Sequence, residues 1–295
     1  MKQPIFRGCA TALVTPFDRD GGIDFQTLGR LIEAQIAGGA DALVVCGTTG
    51  ESATLTDGEK RSVIEYTVGK TDGKIPVIAG TGSNDTSRSV QLTRQAQSLG
   101  VDGILAVCPY YNKPTQAGIL KHYLALADCG CPVLVYNVPG RTASAASPET
   151  LQELSKHENI VGLKDAGGSL QSAATVRNLC GDDLPLYSGD DGCIVPFLSI
   201  GGVGVISVLS NWFPKTVRNL CDFWFSGEVE KAGAEQVRMM PLVSALFSRT
   251  NPIPVKCGLE FFGYPPQTLR LPLCSLEEEE KEKLFALLSL RQREI

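Results

Sequence analysis

Short apolar runs rich in β-branched residues alternate along this chain with longer segments whose apolar positions recur at three- and four-residue intervals. The runs predict strands at Cys9–Thr15, Ala42–Cys46, Pro76–Gly80, Gly103–Val107, Pro132–Tyr136, Ile160–Lys164, Leu184–Ser188 and Gly204–Ser207. The longer segments predict helices at Phe25–Ala37, Asp57–Val68, Ser87–Leu99, Gln116–Ala127, Pro148–Lys156, Ser169–Leu179 and Gly192–Ser199. Unbroken strand–helix alternation implies parallel pairing, because a parallel neighbour is reached only by a crossover connection. A doubly wound open sheet satisfies the same alternation. Eight units with uniformly apolar strands favour closure into a (β/α)8 TIM barrel, and no GxGxxG follows the first strand as a dinucleotide-binding sheet would require. After the eighth strand, Pro214–Gly227, Glu230–Arg249, Pro254–Phe262 and Leu276–Arg291 read as further helices. No Gly/Pro/Ser-rich linker sets them apart. The expected organisation is a catalytic barrel over 1–225 with a C-terminal helical extension over 226–295.

Composition narrows the function classes. Apolar residues at 43% and charged residues at 20% of 295 positions suit a chain that packs a core throughout. Acids and bases are mixed and the net charge is -5, so nucleic acid is not an expected partner. The one like-charge run, Glu277 to Glu280, reads as the acidic first turn of a helix. Ten cysteines lie in apolar settings such as Cys9, Cys46, Cys108 and Cys193, without the CxxC spacing of a zinc or redox site; buried, reduced thiols and no metal are expected. Met1 to Arg7 has no apolar signal core and no stretch approaches ~18 unbroken apolar residues, so no membrane span and a cytoplasmic location are expected. Asn84-Asp85-Thr86 reads as a helix start rather than a glycan site. His122 and His157 read as surface or helix C-terminal residues.

In a barrel of this kind the site is assembled at the C-terminal ends of the strands. There the chain carries Gly47-Thr48-Thr49-Gly50-Glu51-Ser52, Pro109-Tyr110-Tyr111-Asn112, Tyr136-Asn137-Val138-Pro139-Gly140-Arg141-Thr142 and Lys164-Asp165. A lysine ending an apolar barrel strand has its charged form disfavoured, which frees a neutral amine to attack a carbonyl and form a Schiff base. The alternative for Lys164 is a plain ion pair with Asp165. Tyr136, on the adjacent strand, can shuttle protons; its alternative is a packed aromatic. Arg141 offers a fork of donors to a carboxylate, or an ordinary loop salt bridge. Closely spaced N–H groups and two hydroxyls suit Gly47-Thr48-Thr49-Gly50 to a carboxylate or phosphate. No GxxxxGK[ST], HExxH or GxSxG accompanies them, so nucleotide hydrolysis, zinc chemistry and a serine nucleophile lack support.

These four motifs, with Ser188-Gly189-Asp190-Asp191, Gly204-Val205-Ile206-Ser207 and Asn251-Pro252-Ile253-Pro254-Val255-Lys256, closely resemble the signatures of the 4-hydroxy-tetrahydrodipicolinate synthase (dihydrodipicolinate synthase) family, within the N-acetylneuraminate lyase superfamily. The resemblance implies a lyase of lysine and diaminopimelate biosynthesis that condenses pyruvate with aspartate 4-semialdehyde. Lys164 would form the pyruvate imine, and no separate cofactor would be needed. Tyr136, Thr48 and Tyr111 would form a proton relay, with Tyr111 reaching a neighbouring subunit's site in a homotetramer built as a dimer of dimers. Thr49, Gly189 and Ile206 would line the pyruvate pocket, and Arg141 would hold the semialdehyde's carboxylate. N-acetylneuraminate lyase and the 2-keto-3-deoxy sugar-acid aldolases share the barrel and the lysine; Thr49 and Gly140-Arg141-Thr142 favour the synthase. A non-catalytic regulatory or binding barrel is expected to lack Lys164 or Tyr136. Lysine-inhibited relatives carry histidines and a glutamate where this chain has Asp57, Lys60 and Arg88, although Ser52, Ala53, Asn84 and Tyr110 are kept. Two added cations there repel an effector's ammonium groups, so weak or absent inhibition by L-lysine is expected.

Overall fold

The computed structural model describes residues 2–292; Met1 and residues 293–295, the outer ends of the expected division, lie outside the described residues. Eight parallel strands pair in chain order, β1 (Gly8–Ala12), β2 (Ala42–Val45), β3 (Val77–Gly80), β4 (Gly103–Val107), β5 (Val133–Asn137), β6 (Ile160–Asp165), β7 (Leu186–Ser188) and β8 (Gly204–Ser207), and β8 pairs with β1 to close the barrel. The TIM-barrel expectation holds. Around it run α1 (Phe25–Ala37), α2 (Asp57–Thr71), α3 (Thr86–Ser98), α4 (Gln116–Ala127), α5 (Pro139–Thr142), α6 (Pro148–Ser155), α7 (Leu170–Cys180), α8 (Ile194–Ser199) and α9 (Pro214–Phe225), followed by α10 (Val229–Leu246), α11 (Ile253–Phe261) and α12 (Glu278–Gln292).

Local chemistry explains the helix starts. Asp24, Asp85, Thr115, Ser147 and Ser169 each accept a first-turn backbone N–H ahead of α1, α3, α4, α6 and α7. Thr56 and Glu59 cap α2 reciprocally. Asp85 therefore accounts for the Asn84-Asp85-Thr86 triplet as a helix start, and Glu278 to Glu280 occupy the first turn of α12, where the helix dipole favours them. The element missing from the sequence reading is α5. Its opening Pro139-Gly140 looks like a loop, and four residues are too few to show a helical period.

The strands are buried on both faces, and α9 packs on β1 through Val217, Leu220 and Cys221. The later helices are bonded to the barrel as well as packed on it: Gln236 of α10 donates to the Asp191 carbonyl at 2.9 Å and accepts from Val195 N at 3.1 Å. Two expectations need correction. His122 is not a surface residue; it is buried, its Nδ1 lies 2.9 Å from Thr86 Oγ1, and burial pushes its imidazole down to about 4. The cysteines are all free, but Cys129, Cys193 and Cys257 are only half-buried and Cys274 is exposed, because they fall on outer helices and loops rather than in the barrel. Among the described residues, no helix is long and apolar enough to cross a membrane.

Candidate active site

The site begins with an irregularity in strand pairing. Val133 of β5 pairs with Ile160 of β6, but the next pair is Leu134 with Gly162, so Val161 is skipped. Uninterrupted pairing would have set Leu163 opposite Tyr136 and turned Lys164 to the other face, since side chains alternate along a strand. The bulge instead sets Lys164 opposite Tyr136, with its Nζ 4.3 Å from the ring centroid. Lys164 is only 5% exposed, and among the described residues no carboxylate pairs with it. The ion-pair alternative fails for the same periodic reason: Asp165 faces the opposite way and accepts the Gly167 N–H at 2.7 Å, while burial pushes its carboxyl above the usual range. Gly189, just past β7, lies where any Cβ would come within 3.1 Å of Lys164 Cε, so its bare backbone leaves room for the lysine stem. Lys164 pairs with Tyr187, and Tyr187 with Gly204. Ile206, two residues beyond Gly204, therefore shares their inward face and is fully buried.

The loop after β2 is held under tension. Cys46 and Glu51, neither of them glycine, adopt φ of 53° and 52°, a left-handed conformation that L-residues seldom take unless their surroundings enforce it. The enforcement is visible. Thr15 donates its hydroxyl to the Gly50 carbonyl at 2.8 Å, and the Glu51 carboxylate takes Lys256 Nζ at 2.6 Å and Arg270 N at 3.2 Å. Between these anchors, Thr48 faces a cavity of about 440 Å³ and Thr49 is buried, its Oγ1 accepting from Asn251 Nδ2 at 2.9 Å.

Arg141, on α5, lines the same cavity, and its Nη2 donates to the Asn251 carbonyl at 3.2 Å. Val138, two residues beyond Tyr136 in sequence, also lines it, which puts the cavity past the C-terminal end of β5. Lys60, Arg88 and Tyr110 form part of its wall too. The structure thus brings Lys164, Tyr136, Gly189 and Ile206 together inside the barrel mouth, and Thr48 and Arg141 around the cavity. It does not bring Tyr111 there: with φ at 73° and 88% exposure, that side chain projects from the surface. Among the described residues, no group of three His, Cys, Asp or Glu is arranged to hold a metal ion.

Sequence reasoning passed over Asn251, Glu51 and Lys256. All three stand in the motifs quoted above, but nothing in their spacing shows that a segment some 200 positions downstream closes on the loop after β2.

Comparison with known proteins bears on which chemistry this mouth serves. A sequence model of the Dihydrodipicolinate synthetase family matches residues 5–291. The chain is 45% identical over 285 residues to the 4-hydroxy-tetrahydrodipicolinate synthase of Geobacter metallireducens, covering 96% of this chain and 98% of that one. It is 46% identical over 276 residues to the enzyme of that name from Clostridium tetani, covering 93% and 94%. The crystal structure of dihydrodipicolinate synthase from Thermotoga maritima superimposes with a TM-score of 0.95 at 41% identity, over 98% of this chain and 99% of that one. The family model and these relatives each match nearly the whole length of the chain, and the chain belongs to the dihydrodipicolinate synthetase family.

Proposed function

We propose that this chain catalyses the reaction for which its relatives are named, condensing pyruvate with L-aspartate 4-semialdehyde on the way to diaminopimelate and lysine. One observation carries the reading: a buried lysine amine that has no carboxylate partner among the described residues, set over a tyrosine ring at the mouth of a barrel. The Lys164 amine attacks the keto carbon of pyruvate, water leaves, and an imine results. The protonated imine then draws electrons from the methyl carbon. Loss of a methyl proton gives an enamine whose carbon attacks the aldehyde, and attack by the substrate's amino group on the imine carbon closes the ring and returns the lysine. The protein supplies the electron sink covalently, with no separate cofactor.

Tyr136, Thr48 and Tyr111 carry the protons in this scheme. Tyr111 does so across a subunit boundary, a role that suits a phenol standing clear of its own barrel. That requires at least a dimer, and the reading extends to a cytoplasmic homotetramer. Thr49, Gly189 and Ile206 line the pyruvate pocket, and Arg141 takes the carboxylate of the semialdehyde with its remaining donors. Arg141 on the cavity wall favours an acidic aldehyde over a sugar as second substrate.

The test is chemical trapping. Borohydride added with pyruvate reduces the imine and fixes a pyruvate-derived mass on Lys164, read by peptide mass spectrometry; an unmodified Lys164 sinks the reading. A coupled assay offering pyruvate with the semialdehyde, against sialic acid or a deoxy sugar acid cleaved in the reverse sense, then separates the synthase from its aldolase cousins.

A further inference from the structure

Asn251 is placed where no simple structural role explains all of its bonds. It comes from the segment before α11, far from the barrel mouth in sequence, yet it is buried between two residues of that mouth. Its Nδ2 donates to Thr49 Oγ1 at 2.9 Å, and its main-chain carbonyl accepts from Arg141 Nη2 at 3.2 Å. Its Oδ1 is buried and, among the described residues, has no hydrogen-bond partner. An amide used only to brace the chain pairs both ends, and a buried carbonyl oxygen without a donor is costly. This side chain, on the cavity wall, presents its N–H to one hydroxyl and its Oδ1 to no other described group.

The consequence lies in the direction of that hydroxyl. A threonine oxygen has one hydrogen to give and lone pairs to receive. With an N–H already directed at Oγ1, the Thr49 O–H is free to donate to something other than Asn251. We propose that Asn251 is a positioning residue that fixes Thr49 as a donor toward the carboxylate of the keto acid. The inference rests on the reading above, in which Thr49 lines the pyruvate pocket, and deepens it by saying which way the hydrogen points. The Asn251 main chain steadies Arg141 at the same time, so one residue sets the grip on both substrates. Only the first of these contacts depends on its side chain.

Asn251→Asp tests this, because aspartate has the same shape and no N–H. Its carboxylate accepts the Thr49 O–H and reverses the polarity of the pair. The expected result is a rise of about 10- to 100-fold in the KM for pyruvate, the loss of one hydrogen bond to a charged group. The kcat at saturating pyruvate and the KM for the semialdehyde should change far less. Repulsion of pyruvate by the new charge would raise KM in the same way, so the substitution is repeated in a Thr49→Val background. If Asn251 acts through the Thr49 hydroxyl, Asn251→Asp adds little there; if repulsion or general loosening is the cause, the full effect persists and the proposal is overturned. An Asn251→Asp enzyme with unchanged pyruvate KM overturns it too. Borohydride trapping on the parent protein keeps the two readings apart, since failure to label Lys164 there counts against the proposed function and not against the Asn251–Thr49 pairing.

Discussion

Lys164 and Lys256 are both buried in this molecule, at 5% and 0% exposure, and both lie over an aromatic ring, Tyr136 at 4.3 Å and Phe17 at 4.1 Å. Their surroundings otherwise differ. Lys256 donates to the Glu51 carboxylate at 2.6 Å and to the Thr268 carbonyl at 2.7 Å, so its charge is matched and two of its donors are used. Burial still pushes its amine down to about 8, with the Glu51 charge pulling the other way. Lys164 has no such carboxylate among the described residues. Burial alone therefore does not make a lysine a nucleophile. What separates the two is bonding: Lys256 is held by a carboxylate and a carbonyl, and among the described residues Lys164 has neither. Lys256 ties the C-terminal helices to the loop that carries Thr48 and Thr49, whereas Lys164 remains available to react.

The comparison is broken most forcefully at Lys164. Lys164→Ala should lower turnover on the order of 10⁴-fold or more, because it removes the amine that forms the imine, and Lys60, in the outer cavity wall beside Arg88, is not set over Tyr136 to replace it. The thermal midpoint should move by only a few degrees, as no ion pair is lost. A variant that keeps more than about a hundredth of parental activity in the coupled assay would show that the chemistry does not pass through this amine.

Lys256→Met should behave in the opposite way. It leaves the Glu51 carboxylate buried and uncompensated, a loss of about 3–5 kcal/mol in stability. Removing both charges as Lys256→Met with Glu51→Leu should recover much of that loss, since apolar pairs of similar volume often replace buried ion pairs without penalty. Pyruvate trapping on Lys164 should survive in whatever fraction stays folded. If denaturant unfolding shows the single variant as stable as the parent, the pair is not the clamp its geometry suggests.

The two lysines were not equally legible from sequence. Lys164 could be found because it ends an apolar strand, and the period of two then predicts a buried inward amine. Its true register depends on the skipped Val161, which alternation alone cannot reveal. Lys256 sits on a helix among apolar neighbours, where any lysine reads as a solvated side chain; its partner is 205 residues away, and only the packed fold brings them together. The same limit hid Asn251 from its link to Thr49. Tyr111 and Arg141 were readable as residue types in the right loops, but the exposure of one and the short helix under the other follow from backbone geometry, φ of 73° and the turn Pro139–Thr142. The eight-unit barrel was legible throughout, because periodicity is a local property repeated many times.

A third lysine, Lys60, lies between these extremes and gives the mildest test. It is half-buried in the cavity wall beside Arg88, and burial lowers its amine pKa while nearby Asp57 opposes the shift. Asp57 is already committed to Arg88, whose Nη2 lies 2.7 Å from its Oδ1, so little negative charge is left to offset Lys60. Free L-lysine entering this part of the cavity would bring its own ammonium groups toward two fixed cations. Like charges a few ångströms apart repel by about 1 kcal/mol in water and by more where solvent is excluded. Inhibition by L-lysine should therefore be weak or absent, and Lys60→His, which is largely uncharged at neutral pH, should move a dose–response curve toward tighter inhibition by no more than about tenfold. Strong inhibition of the unmodified enzyme at submillimolar L-lysine would mean that Lys60 is neutralised as fully as Lys256, and that the cavity wall is less cationic than its side chains indicate.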